Sequence, residues 1–216
     1  MPGVSKEPKP MLRGRLHALA FLASIPAAIV LVSGASNYRA LFAGLVYAAS
    51  LTFAFGASAV YHCGTWSTTW TSRMRRLDHV TIFLLIAGTY TPVCLLAIRS
   101  DIADWILAAE WIGAVAGILL VIFVFDRTRV ITGLMYIIMG WLAVLAHVEL
   151  GQNLSQAQLV LLFSGGVLYT VGAGIYAAKK PNPWPRVFEH HEIWHTMETA
   201  AAGCHWTLVL SIVGVA

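Results

Sequence analysis

Three short stretches carry side chains that do not suit the apolar sequence around them. They are Ser58-Ala59-Val60-Tyr61-His62, Asp78-His79, and His190-His191-Glu192-Ile193-Trp194-His195. On a helix, residues i and i+4 share a face one turn apart. His191 and His195 have that spacing, and so do Ser58 and His62. A pair of histidines at i, i+4 plus a third from another helix suits zinc, whose catalytic sites use three protein ligands and keep one position open. Zinc lowers the pKa of its water from about 15.7 to about 7. Asp78 is placed to hold or deprotonate such a water, and Ser58 to fix a ligand or a substrate oxygen by hydrogen bonding. Without metal, the same residues make a buried polar network, with Asp78 paired to Arg75 or Arg76. The run His191-Glu192-Ile193-Trp194-His195 also fits H-E-x-x-H, in which the Glu is the base of a metalloprotease. A third protease ligand would have to be Glu198 or His205. Both lie on the same helix and approach from no new direction.

The elements that must position these residues are membrane spans. Hydrophobic residues make up 58% of the 216 residues and charged residues 11%, and mean hydropathy is +0.74. Soluble proteins have roughly 45–50% and 25%. A disordered chain, a coiled coil and an ordinary soluble enzyme are excluded. Three cysteines exclude a disulfide scaffold. The net charge of +4 is expected beside membrane spans and points to no nucleic-acid partner. A crossing needs about 20 apolar residues. That length predicts an all-α, seven-transmembrane helix bundle, with spans near 16–35, 40–62, 78–98, 105–125, 130–150, 157–178 and 191–214. The domain is residues 16–216, after an N-terminal tail of residues 1–15. Continuous apolar runs exclude a transmembrane β-barrel, and no internal repeat is evident.

Lys and Arg orient the bundle. Lys6, Lys9, Arg13, Arg15, Arg73, Arg75, Arg76, Arg127, Arg129, Lys179, Lys180 and Arg186 fall on one side, against Arg39 and Arg99 on the other. Positive residues favour the cytoplasmic side. The N-terminus is therefore expected inside and the C-terminus outside, in the inner (plasma) membrane. A cleaved signal peptide is disfavoured, because the first apolar run is about 20 residues, longer than a 7–15-residue signal core. This topology puts His62, Asp78, His191 and His195 in one layer near the cytoplasmic face.

The residues just described, taken with later motifs, resemble the hemolysin III family. This is the bacterial branch of the progestin and adipoQ receptor family. The resemblance rests on Ser58-x-x-x-His62, Asp78-His79-x-x-Ile82-Phe83, and Ala87-Gly88-Thr89-Tyr90-Thr91-Pro92. Tyr136-x-x-x-Gly140-Trp141, Gly165-Gly166-x-x-Tyr169-Thr170-x-Gly172 and His191-x-x-x-His195 with Ala200-Ala201 and His205 complete it. It covers roughly residues 16–214. It implies seven helices with a cytoplasmic N-terminus and a zinc ion held by His62, His191 and His195, with Asp78 and Ser58 beside it. It also implies kinship with alkaline ceramidases, which cleave lipid amides, and a link to membrane homeostasis. Members of this branch carry acidic and Asn residues before the first span. Here that stretch is Met11-Leu12-Arg13-Gly14-Arg15-Leu16, and only His17 matches, which leaves the N-terminal segment without an assigned role.

The expected function is a zinc-dependent hydrolase of lipid amide or ester bonds, with a membrane lipid as substrate or ligand. A receptor or membrane-state sensor with structural zinc is the alternative. A pore-forming cytolysin comes third, because the chain lacks the amphipathic elements of a secreted pore former. No span is clearly broken at its middle by paired Gly and Pro, as in many transporters. His79 and His190 follow or precede site residues by one position and so face elsewhere. His205 lies deeper, in a cross-helix hydrogen bond or on a polar cavity. Cys63 abuts His62 and could ligate metal as thiolate, while Cys94 and Cys204 read as apolar fillers. Glu110 and Glu149 are expected to reach the outer headgroups. Gly113 and Gly117 form a G-x-x-x-G expected to serve internal packing. Trp66, Trp70, Trp105 and Trp184 are placed as an interfacial belt.

Overall fold

The computed structural model describes residues 10–214, apart from the Asp126 side chain. Lys6 and Lys9 of the tail lie outside the described residues. Those described are almost wholly helical. The helices are α1 (Arg15–Ser33), α2 (Tyr38–Cys63), α3 (Thr68–Pro92), α4 (Ile102–Gly140), α5 (His147–Asn153), α6 (Gln156–Ala178) and α7 (His190–Val213).

Local chemistry sets most of the ends. The Asn37 side chain accepts the Ala40 N–H, and Ser67 accepts that of Trp70. Each satisfies a donor that the first turn leaves orphaned. Capping boxes open α6 (Ser155 with Gln158) and α7 (Glu189 with Glu192). Pro92 lacks an N–H. Beyond it the backbone winds as a π-turn over Val93–Ala97.

Three expectations about boundaries need correction. The third helix starts at Thr68, ten residues before the expected span. Arg73, Arg75 and Arg76 are thus on a helix and not in a loop. A helix needs no apolar residues outside the hydrocarbon, so an apolar ruler measures membrane depth and not helix length. The expected loop at 126–129 is a kink, with non-helical backbone at Val124 and Thr128 inside one continuous α4. The fifth span is interrupted after Gly140, passing through a 3₁₀ segment (Leu142–Ala146) into short α5.

Six stretches among the described residues are long and apolar enough to cross a membrane. They are α1, α2, α3 with its π-turn, the two arms of α4 on either side of the kink (the second running on through α5), and α6. Helix α7 is as long, but its first half carries His190, His191, Glu192, His195 and Glu198. Leu19, Leu22, Ile25 and Ile29 of α1, and Ile112, Val115, Leu119 and Phe123 of α4, are exposed. Such apolar faces suit contact with lipid tails. Helix α7 packs against α1, α2, α3 and α6. Lipid gives helices no hydrophobic reason to associate, so close packing must hold them. Gly117 illustrates this, because a Cβ there would run into the ring of fully buried Phe83 on α3. The G-x-x-x-G is spent on internal packing, as expected.

Candidate metal centre

Helix α2 delivers His62 from its last turn, and α7 delivers His191 and His195 from its first two. Contacts of α7 with both α2 and α3 bring them to one end of the bundle, with Asp78 on α3. Ligand nitrogens of the three histidines lie within 4.8 Å of one another. His62 Nε2 and His191 Nε2 are 3.4 Å apart. Zinc–imidazole bonds of about 2.0–2.1 Å in a tetrahedron separate donor nitrogens by about 3.3 Å. The donor set therefore fits a metal ion. His62 and His195 are buried and His191 is half-buried, so the least covered approach is over His191. The Tyr176 ring flanks that side, 5.2 Å from the imidazole.

Asp78 Oδ2 lies 3.8 Å from His62 Nε2 and 3.7 Å from His79 Nδ1. Arg76 donates to the Ile122 carbonyl, and the Arg75 guanidinium sits 5.3 Å from the centre of the Phe125 ring. Ser58 Oγ is 2.7 Å from His17 Nδ1.

His17 and Glu198 were not placed at this site by the sequence. His17 is buried, with its ring stacked on His195 at 3.8 Å between centroids, and its Nε2 is 3.5 Å from Glu198 Oε2. Glu198 follows His195 by three positions and so shares its face, a signal that was legible. Nothing local to His17 reveals a partner 178 residues away.

Other candidates find structural roles. His79 Nδ1 is bonded to the Arg75 carbonyl, and His190 to Asn182. Glu192, the apparent protease base, is wholly buried, paired with Arg13, and accepts the Glu189 N–H at 2.9 Å. Cys63 is exposed and is not part of the three-histidine group. His205 Nε2 meets the Leu162 carbonyl at 3.1 Å, and its ring lines a cavity of about 30 Å³ beside Tyr90 and Trp141. Glu110 corrects an expectation, because it is fully buried and reaches no headgroup, and neither carboxylate oxygen has a hydrogen-bond partner among the described residues. Glu149, half-buried on short α5, accepts from Ser100.

Membrane-length helices closing around three convergent imidazoles define a polytopic membrane protein with a candidate metal centre. The Haemolysin-III related family matches residues 5–206, and the chain belongs to that family. It is similar to the hemolysin-3 homolog of Bacillus subtilis (strain 168), 32% identical over 197 residues that span 90% of this chain and 89% of the relative. Similarity to hemolysin-3 of Bacillus cereus is 34% over 200 residues, covering 91% and 88%. A more distant likeness, 23% over 168 residues, is to the human monocyte to macrophage differentiation factor, covering 74% and 66%.

Proposed function

We propose that this chain is a zinc-dependent hydrolase of the plasma (inner) membrane that cleaves an amide or ester bond of a membrane lipid, in the service of membrane homeostasis. The observation that carries the proposal is the convergence of His62, His191 and His195 with Asp78 Oδ2 3.8 Å from one of them. In this reading residues 16–216 form the domain, and the N-terminus and the centre face the cytoplasm.

The three histidines hold the ion. When bound, zinc supplies Lewis acidity toward a carbonyl and makes water nucleophilic near neutral pH. Asp78 takes a proton from the water that adds to the carbonyl carbon. It returns that proton to the nitrogen or oxygen leaving as the C–N or C–O bond breaks. Ser58 assists Asp78 as a hydrogen-bonding group, and its hydroxyl is held by His17 Nδ1, 2.7 Å away. The exposed apolar faces let a lipid substrate arrive from within the bilayer.

The test is metal analysis of detergent-purified, chelator-free protein, followed by a screen of lipid amides and esters. Near one zinc per chain is expected, lost in His191→Ala with His195→Ala. Asp78→Asn is expected to keep the metal and lose at least 100-fold in turnover, in line with about 10²–10⁴ for acid–base groups. No metal in the wild type overturns the proposal.

A second reading is a receptor or membrane-state sensor with structural zinc. It is favoured by the burial of His62 and His195 and by the His17 ring covering His195. Full metal occupancy with no turnover of any lipid amide or ester selects it. The name of the Bacillus cereus relative raises cytolysis as a third reading. Release of haemoglobin by purified protein, independent of the three histidines, would select that one.

A further inference from the structure

The two helices that carry the histidines offer them from their ends. His62 is the penultimate residue of α2, and His191 is the second residue of α7. Terminal turns lack some backbone hydrogen bonds and fray. A site needing donor nitrogens a few ångströms apart cannot tolerate that, so something must hold both ends.

The segment Met11–His17 touches both. Met11 N donates to the Arg186 carbonyl at 2.9 Å, and Leu12 N to that of Val187 at 3.4 Å. This lays the segment along the turn that leads into α7. Arg13 then pairs with Glu192, which is wholly buried and also caps α7 through the Glu189 N–H. Glu192 lies between the two α7 histidines in sequence, next to His191. Gly14 follows with φ +79°, a left-handed backbone that favours glycine. A Cβ at Gly14 would lie 2.6 Å from His62 Cβ and 3.0 Å from Cys63 Sγ. The segment thus presses on the end of α2 with no room for a side chain. It closes with His17, stacked on His195 and bonded to Ser58.

We infer that residues 11–17 form a strap that sets the geometry of the three-histidine centre, with Arg13 and Gly14 as positioning residues. Arg13 acts through Glu192 on the first turn of α7. Gly14 acts by direct contact with the last turn of α2. Neither belongs to the three-histidine group. This rests on the metal reading of that group and adds to it a part for the N-terminal segment.

The experiment measures metal affinity by competition with a chromophoric chelator, using zinc and cobalt on purified full-length protein. Variants are Arg13→Ala, Arg13→Lys, Gly14→Ala and His191→Ala with His195→Ala. Arg13→Ala and Gly14→Ala are expected to lose about 10–100-fold in affinity, the range for groups that orient metal ligands. Their cobalt absorption bands are expected to shift, reporting an altered ligand arrangement. Arg13→Lys keeps the charge and is expected to recover most of the affinity. Thermal melting of the metal-free proteins separates positioning from folding. Metal-free wild type and Arg13→Ala melting together while affinities differ supports the strap. Wild-type affinity and spectrum in both Arg13→Ala and Gly14→Ala overturn it. So does loss explained wholly by a lower metal-free melting temperature, with no recovery in Arg13→Lys. Absence of metal from the wild type, as from the double histidine variant, overturns the metal reading itself.

Discussion

The imidazole of His17 lies flat against that of His195, centroids 3.8 Å apart and planes 8° from parallel. One ring comes from the first helix and the other from the last. The stack fixes the orientation of a candidate ligand, while the Nδ1 bond to Ser58 ties the same ring to the polar group around Asp78. A residue that sequence comparison leaves without a role is thus at the heart of the site.

His17 has two separable contributions. His17→Phe keeps an aromatic face on His195 and is expected to retain metal. It leaves Ser58 without its His17 bond and is expected to lower turnover more than metal content. His17→Ala removes the face as well and is expected to weaken metal binding by about tenfold or more. Metal titration beside lipid hydrolysis checks this, and identical behaviour of the two variants would refute the separation.

Glu110 is a buried carboxyl in α4, and neither oxygen has a hydrogen-bond partner among the described residues. Leaving such a group unsatisfied costs about 1–3 kcal/mol. Glu110→Met keeps the length of the side chain and removes the polar atoms. Its melting temperature in detergent is expected to equal or exceed that of wild type. A clear drop would mean that Glu110 holds a water or cation worth more than its burial costs.

Gly117 faces Phe83, which has no exposed surface into which to move. Gly117→Ala is expected to destabilise by about 1–3 kcal/mol, the usual cost of overpacking. Oligomeric state should not change. A weakened dimer with unaltered melting would instead place Gly117 on an interface between copies.

The charge distribution predicts an orientation that labelling can test. Asn37→Cys is expected to react with an impermeant maleimide in intact cells. Asn182→Cys, in the proline-rich turn, is expected to react only after permeabilisation, as is native Cys63. The reverse pattern would invert the bundle and put the centre outside.

The order of spans and the key histidine pair were legible because both are local. An apolar run long enough to cross a bilayer is a property of consecutive residues. The i, i+4 spacing of His191 and His195 is a property of any helix. The one-layer placement of His62, Asp78 and the pair followed from alternating direction. Helix boundaries were less legible, because the arginine-bearing turn before Asp78 is helical without being apolar.

Sequence by itself determined the helical class, the order of the apolar runs and the histidines able to ligate a metal. Tertiary structure alone decided that Glu198 turns toward His17, that Arg13 meets Glu192, and that Glu110 faces inward. The physical reason lies in the solvent. In a membrane both the lipid-facing and the bundle-facing sides of a helix are apolar, and association depends on packing. Hydropathy therefore marks where the chain crosses but carries little information about which face meets which. Pairs such as His17 with His195 exist only once helices distant in sequence have packed.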